Sequence, residues 1–141
     1  MINLIIKSIS VRLDAEFNGC EINIEEKKEG LKEPCFFVLC INSTNKLFLN
    51  RRYFRTNQFC IQYIPECGGR EKAECYEVAE RLFDCLEWLE VGGNLVMGTK
   101  MKYEVVDGVL HFFVNYDMFV YKVEESVPVM EEVSSETLLK G

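Results

Sequence analysis

The sequence predicts an α+β protein: two helices packed on one face of an antiparallel-rich sheet, in the order α-β-β-β-α-β-β. Two segments with apolar residues at helical spacing predict the helices. Apolar segments with alternating or continuous hydrophobicity predict the strands. The clearest two are joined by Asp107 and Gly108, the pair that a two-residue type I′ turn prefers because both central positions need φ > 0. Helices that segregate from such a sheet are typical of the α+β class.

The chain opens with a predicted amphipathic helix, a short strand and a buried strand. The apolar stripe of the helix consists of Ile2, Ile5, Ile6, Ile9, Leu13 and Phe17. Residues Glu21 to Glu26 alternate and predict the short strand, and Lys27 to Pro34 form a charged connection. The segment Cys35 to Ile41 is apolar throughout, which is typical of a strand buried on both faces.

The middle of the chain predicts a turn, a third strand and a second helix. Asn42 to Lys46 is polar and turn-like, and the strand is centred on the alternation from Phe59 to Tyr63. Pro65 to Gly69 interrupts the strand, and the helix is predicted from Glu71 to Glu90, ending at a Gly pair. Its apolar stripe consists of Cys75, Val78, Ala79, Leu82, Leu86 and Leu89.

The Asp-Gly turn predicts the register of the last hairpin, starting from Val106 opposite Val109. The apolar face would pair Val105 with Leu110, Tyr103 with Phe112, Met101 with Val114, Thr99 with Tyr116, Met97 with Met118 and Leu95 with Val120. The other face would pair Glu104 with His111, Lys102 with Phe113 and Lys100 with Asn115. We expect the helices to cover the apolar face. The other face still carries Phe113, Phe119 and Tyr121, which are either scattered surface residues or a patch that binds a partner.

Composition indicates a single folded domain followed by a tail. We assign residues 1–123 to the domain and residues 124–141 to an acidic C-terminal tail. A hydrophobic content of 48% supplies a core for a chain of 141 residues. The net charge of -7 argues against tight non-specific binding to nucleic acid, which depends on Lys and Arg neutralising phosphates.

The sequence also predicts the cellular setting. It contains no apolar run near the roughly 20 residues that a membrane helix needs and no signal-peptide pattern, so we expect an intracellular site of synthesis. The seven cysteines are odd in number and include no Cys-x-x-Cys pair, which predicts reduced cysteines that act as small hydrophobes.

Few residues indicate chemistry, and we predict no catalytic, cofactor-binding or metal-binding residue. His111 is the single histidine, so a small enzyme would have to pair it with Cys60 or Cys67. The segment from Gly93 to Lys100 imitates a phosphate loop, but Thr and Lys are exchanged and the segment leads into a strand. The paired glutamates are most simply solvated charges.

A basic and aromatic cluster is the most distinctive charged feature. Arg51, Arg52 and Arg55 surround Tyr53 and Phe54 in a net-acidic chain. Arginine forks suit carboxylates and aromatic residues anchor interfaces, so one interpretation is recognition of an acidic protein surface. Contact with nucleic acid and pairing with the chain's own acidic residues are the alternatives.

Several short stretches occur in a characteristic order along nearly the whole chain. They are Met-Ile-Asn-Leu-Ile-Ile at the N-terminus, Glu29 to Phe37, Arg51 to Tyr53, Phe59 to Pro65, Val78 to Leu82, Gly98 to Met101, and Val106 to Phe112. With this series the sequence resembles the phage tail terminator family found in phages and prophages of Gram-positive bacteria.

The resemblance implies a structural protein of the virion, with no catalytic residues. Members form a ring, usually hexameric, on the head-proximal end of the tail tube, where it stops tube polymerisation and offers a surface to the neck or head connector. The implied partners are further copies of the chain, the tube protein and the neck protein, while DNA passes through the lumen without specific binding. No membrane is involved. We expect the subunit or tube interface to include Arg51, Arg52, Tyr53, Arg55, Phe113, Phe119 and Tyr121.

Three other functions remain open at this point. The first is another head-tail connector or neck protein of similar size. The second is a small host-directed binding protein, and the third is the small cysteine and histidine enzyme considered above.

Overall fold

The computed structural model describes residues 1–24 and 32–121. In chain order its elements are α1 (Ile2–Glu16), β1 (Glu21–Asn23), β2 (Cys35–Leu49), β3 (Arg52–Ile64), α2 (Glu71–Cys85), β4 (Trp88–Val91), β5 (Asn94–Val106), β6 (Val109–Tyr116) and β7 (Met118–Tyr121). The strands form a seven-stranded mixed sheet in the order β1-β2-β3-β6-β5-β4, with β7 paired to β3. The α+β class is confirmed, and the strand content exceeds the prediction. The predicted acidic tail lies outside the described residues.

Helix α1 forms where the helical spacing predicts it. Its buried residues are Ile5, Ile6, Ile9 and Leu13. The helix contacts β4, β1 and α2. Two side chains tie it to these neighbours, since Ser8 Oγ donates to the Glu90 carbonyl at 2.8 Å and Arg12 Nε donates to the Cys85 carbonyl at 2.9 Å.

Strand β2 begins as predicted but does not end as predicted. Its first four residues, Cys35 to Val38, are buried, and β1 pairs with them in parallel. The predicted turn over Asn42 to Lys46 is wrong, because the strand continues to Leu49 and the chain reverses at Asn50 and Arg51. Asn50 has a φ of 53°, a left-handed conformation that asparagine tolerates. The polar residues that suggested a turn instead form one exposed half of a long strand.

The second helix is shorter than predicted. It ends at Cys85, and residues that continue the apolar stripe form β4 instead. In β4, Leu89 and Val91 are buried while Trp88 and Glu90 are exposed. This alternation is the period of a strand, and two leucines alone cannot distinguish it from helical spacing. The Gly pair after β4 is therefore a strand-to-strand turn rather than a helix end.

The hairpin of β5 and β6 follows the predicted register close to its turn. Val106 pairs with Val109, Tyr103 with Phe112 and Glu104 with His111. A bulge between Thr99 and Lys102 then adds one residue to β5, so that Thr99 pairs with Asn115 rather than with Tyr116. The predicted pairing of Lys100 with Asn115 is wrong for the same reason, and Met101 falls inside the bulge. Bulges of this kind shift the register because two residues oppose one.

Beyond the pair formed by Gly98 and Tyr116 the two strands separate. Met97 and Leu95 pair with Trp88 and Glu90 of β4 instead of with the end of the hairpin. On the other side, β6 ends at Tyr116 and β7 pairs antiparallel with β3. The pairings predicted for Met97 with Met118 and for Leu95 with Val120 are therefore wrong.

Part of the buried core lies where α2 packs against the β5–β6 hairpin. The Phe83 ring lies 5.1 Å from the Phe112 ring and 6.0 Å from the Tyr103 ring, so α2 covers the predicted apolar face of the hairpin. Tyr116 is fully buried, and its hydroxyl donates to the Leu86 carbonyl at 2.5 Å. Burial raises the pKa of that hydroxyl.

The chain divides into two compact units. The larger, which we call the body, comprises Met1–Ser43 and Asn57–Asp117. The smaller, which we call the ribbon, comprises Thr44–Thr56 together with β7, and in it the Thr44 and Thr56 hydroxyls are hydrogen-bonded. Neither α1 nor α2 is both long and apolar enough to cross a membrane.

Candidate interaction surfaces

One face of the ribbon is an arginine set among aromatic rings. Strand pairing places Arg52 opposite Tyr121 and Phe54 opposite Phe119, and residues two apart on a strand share a face. The Arg52 guanidinium lies 4.3 Å from the centroid of the Phe119 ring and 5.7 Å from that of Phe48. We call this set of five residues the Arg52 face. Cation–π contacts favour this position of its guanidinium.

The aromatic rings of the Arg52 face also contact one another. The Phe119 ring lies 5.3 Å from Phe48 and 5.0 Å from Phe54, with the rings inclined in both pairs. Phe48 is 60% exposed and Tyr121 is 68% exposed. An ordered aromatic cluster that stays this exposed is the kind of surface that anchors a protein partner.

The opposite face of the ribbon is also apolar. It carries Tyr53 opposite Val120 and Arg55 opposite Met118. By alternation from Phe48 it also carries Leu47 and Leu49, whose exposed fractions are 57% and 60%. We call this the Leu49 face. A strand layer with exposed apolar side chains on both faces cannot bury both of them by itself.

Two arginines of the ribbon have a side-chain donor without an acceptor in the described part of the chain. The Nε atoms of Arg52 and Arg55 are buried and lack a hydrogen-bond acceptor among the described residues. An unsatisfied buried donor costs about 1–3 kcal/mol, so an acceptor that displaced the side chains covering either Nε atom would offset that cost. A carboxylate is the acceptor that suits a guanidinium best, because it can accept two parallel hydrogen bonds.

Charge is divided unequally between the two units. The described part of the ribbon contains Lys46, Arg51, Arg52 and Arg55 and no Asp or Glu. The described part of the body contains eight Lys or Arg residues and fifteen Asp or Glu residues. Among the described residues, the ribbon is therefore cationic and the body is acidic.

The structure brings together some of the predicted interface residues and separates others. Arg52, Phe119 and Tyr121 share the Arg52 face, while Tyr53 and Arg55 lie on the Leu49 face. Arg51 is exposed in the turn before β3. Phe113 belongs to the body, where it pairs with Cys60 and where the Lys102 ammonium lies 5.6 Å from its ring.

Sequence reasoning missed the contribution of β2 to the ribbon. Phe48 completes the Arg52 face, and Leu47 and Leu49 lie on the other face. The turn predicted at Asn42 to Lys46 hid them. The signal was the apolar run next to the arginine cluster, which fits one hairpin once the turn is placed at Asn50.

The body has an apolar groove that the sequence did not predict. It has a volume of about 640 Å³ and lies between α1 and the β4–β5 edge of the sheet. Its exposed apolar residues are Leu4, Val11, Trp88 and Leu95, and Leu95 is 71% exposed. The sequence places Trp88 in a predicted helix and Leu95 in the predicted hairpin, so it does not indicate that these two residues line one groove. Exposed apolar residues at a sheet edge are characteristic of an interaction surface.

The body also has a polar cleft of about 510 Å³ beside α2. The Tyr63 hydroxyl donates to Glu74 at 2.5 Å, and Arg81 donates to Glu16 at 3.1 Å. Burial, followed by the hydrogen bond to Glu74, raises the pKa of Tyr63. The Arg81 guanidinium also lies 4.2 Å from the Phe17 ring, so these four polar side chains already have partners.

The residues considered for catalysis have unfavourable surroundings. Burial raises the pKa of the Cys60 thiol to about 11, and a hydrogen bond to Glu33 raises the pKa of Cys67. A raised pKa reduces the thiolate fraction that a cysteine nucleophile requires. Gly98 of the phosphate-loop imitation lies within β5, where its amide donates to the Glu87 carbonyl at 2.7 Å.

Comparison with known proteins identifies the family. No curated protein matches the chain. A solved structure aligns with 89% of this chain and 99% of its own, at 14% sequence identity and a TM-score of 0.42, which is too low to bear on function. The family model described as "Phage tail terminator protein" matches residues 4–128, which include both units. The chain therefore belongs to the phage tail terminator protein family.

Proposed function

We propose that this protein forms a hexameric ring on the head-proximal end of the phage tail tube. The ring stops tube polymerisation and provides the surface to which the neck or head connector attaches. The observation that carries the proposal is the ribbon, whose two faces both leave large apolar side chains exposed. Such a layer becomes stable in contact with other protein, as it would be between subunits or against the tube.

The residues proposed for contact with neighbouring subunits or tube are those of the ribbon. Arg52, Phe119 and Tyr121 would act through one face, and Tyr53 and Arg55 through the other. Arg51 lies in the turn between the two strands. Phe113 is kept as a separate contact on the body, since its ring is half-exposed beside Lys102.

The charge distribution supports a ring that lets DNA pass. The acidic body would repel the phosphates of DNA in the lumen rather than retain them. In this role the protein is a component of the virion tail, is not an enzyme, and requires no cofactor.

Electron microscopy of tails made with and without the protein tests this function. Without it, we expect tails of irregular length that do not join heads. Substitution of Arg51, Arg52 and Arg55 by Glu is expected to give the same tails with an intact fold. The matched control reverses three exposed lysines of the body, Lys32, Lys72 and Lys100.

Two outcomes would contradict the proposal. Uniform tails that join heads in the absence of the protein would exclude a terminating role. Finding the protein on isolated heads but not on headless tails would favour the neck or connector alternative, because a terminator remains with the tail.

A further inference from the structure

We propose that the Arg52 face of the ribbon docks on the exposed carboxylate face of α2 in a second copy of this chain. This docking rests on the ring proposed above, for which it names the two surfaces that meet. Because the two surfaces differ, the contact is heterologous, and heterologous contacts build a closed ring or an open filament according to their rotation.

The ribbon supplies a cation that is positioned but not satisfied. The Arg52 guanidinium is held against the Phe119 ring at 4.3 Å, while its buried Nε lacks an acceptor among the described residues. The exposed Phe48 and Tyr121 rings border it. A carboxylate from a partner would accept from Arg52, and the surrounding rings would exclude water from the pair.

Helix α2 supplies carboxylates in a suitable pattern. Glu77, Glu80 and Asp84 are exposed and lie at intervals of three and four residues, which places them on one side of the helix. The Tyr76 ring beside them is 48% exposed. This strip combines acceptors for a guanidinium with an aromatic side chain that can pack on the ribbon.

Charge complementarity favours a second copy over other partners. The described ribbon has four basic residues and no acidic residue, and the described body has an excess of seven acidic residues. Two copies in head-to-tail contact therefore bring opposite charges together. Nucleic acid is disfavoured as the occupant because the body would repel its phosphates.

Two complementary variants of the full chain test the docking. The first is Arg52→Gln, and the second is the triple variant E77Q/E80Q/D84Q. Sedimentation velocity over a range of protein concentrations measures self-association. We expect each variant alone to associate about tenfold more weakly than the parent or worse, since truncating one member of an interfacial charge pair mainly accelerates dissociation.

The mixture of the two variants gives the most specific result. An equimolar mixture retains one intact ribbon and one intact α2 face, so we expect it to form dimers that do not grow further. The control is Lys32→Gln, which removes an exposed cation of the body outside both proposed surfaces and should leave this association unchanged. Circular dichroism confirms that each variant is folded.

Four outcomes would overturn the proposal. The first is a parent chain that stays monomeric at all concentrations, and the second is a mixture that gives no dimer. The third is self-association that is weakened by E131Q/E132Q in the tail and not by the α2 variant. The fourth is binding of a single-stranded DNA oligonucleotide that R52Q abolishes while self-association is unaffected. If the parent chain stays monomeric in solution and tails assembled with it still have normal length, the proposed terminating role stands and only the docking is excluded.

Discussion

The body and the ribbon use the same kinds of side chain for opposite purposes. In the body, the rings of Phe36, Phe59 and Phe112 are fully buried. In the ribbon, Phe48 is 60% exposed although its ring contacts Phe119. These three rings of the body therefore stabilise the fold, whereas the rings around Arg52 in the ribbon pack mainly on one another. We therefore expect substitutions of buried rings in the body to change the free energy of unfolding. Substitutions of exposed rings in the ribbon should instead change association with other protein.

The largest expected contrast comes from removing one phenylalanine from each unit. Phe112→Ala should lower the free energy of unfolding by about 3–5 kcal/mol, because it leaves a cavity in a close-packed core. Phe48→Ala should change it by less than about 0.5 kcal/mol, as is usual for surface positions. Urea denaturation of both variants measures the difference. If both variants lost the same free energy of unfolding, Phe48 would contribute to stability as a core residue does.

A smaller effect is expected at Gly98 of the body. A Cβ at this position would lie 2.7 Å from the Leu86 carbonyl oxygen and 3.0 Å from the Val114 side chain. Gly98→Ala should therefore lower the free energy of unfolding by about 1–3 kcal/mol through overpacking. Gly68→Ala is the matched control, since a Cβ there meets nothing within 4 Å. Thermal unfolding that is the same for both variants would argue against a tight approach at Gly98.

A comparable effect is expected at Asn57, where β3 passes from ribbon to body. Its side chain is fully buried, donates to the Tyr116 carbonyl at 3.0 Å and accepts from Ser43 Oγ at 2.8 Å. Asn57→Ala should cost about 1–3 kcal/mol because these partners lose their hydrogen bonds in a buried site. The exposed Asn42→Ala is the control. Urea denaturation that detects no loss for Asn57→Ala would show that water replaces the missing amide.

The smallest expected effect is a slope in stability at alkaline pH. Burial raises the pKa of Cys60 from an ordinary 9.0 to about 11, so the unfolded chain loses this proton first as pH rises. Stability should therefore fall between pH 9 and pH 11, since it falls wherever the unfolded state binds fewer protons. Urea midpoints from pH 8 to pH 11 measure the slope, and Cys60→Ala should reduce it. An unchanged slope would assign the effect to other buried groups.

Local pattern was sufficient for some elements of this fold. The stripe from Ile5 to Leu13 predicted α1, and Asp107 with Gly108 predicted the turn and the first pairs of the hairpin, because both signals depend only on neighbouring residues. The helix predicted to reach Glu90 failed because Leu86 and Leu89 continue the helical spacing, while Leu89 and Val91 fit the alternation of a strand. The predicted register holds from the turn to Lys102 and fails beyond it, because a bulge inserts a residue that the sequence pattern does not mark.

The candidate interaction surfaces were predictable only in part. The arginine and aromatic cluster was visible as a sequence feature, since its members are neighbours in the chain. Its division into two faces needed the pairing of β3 with β7, which joins Arg52 to Tyr121 across long sequence separation. The groove that contains Trp88 and Leu95 needed the pairing of β4 with β5.

The sequence by itself determined the class of the fold, the first helix, the hairpin turn, the acidic balance and the family resemblance. These follow from composition, periodicity and turn chemistry, which are local properties. Only the tertiary structure decided that β6 ends and β7 pairs with β3, and therefore which aromatic residues gather around Arg52. The physical reason is that strand partners are selected by backbone hydrogen bonding and burial summed over the whole sheet, and no single segment carries that sum.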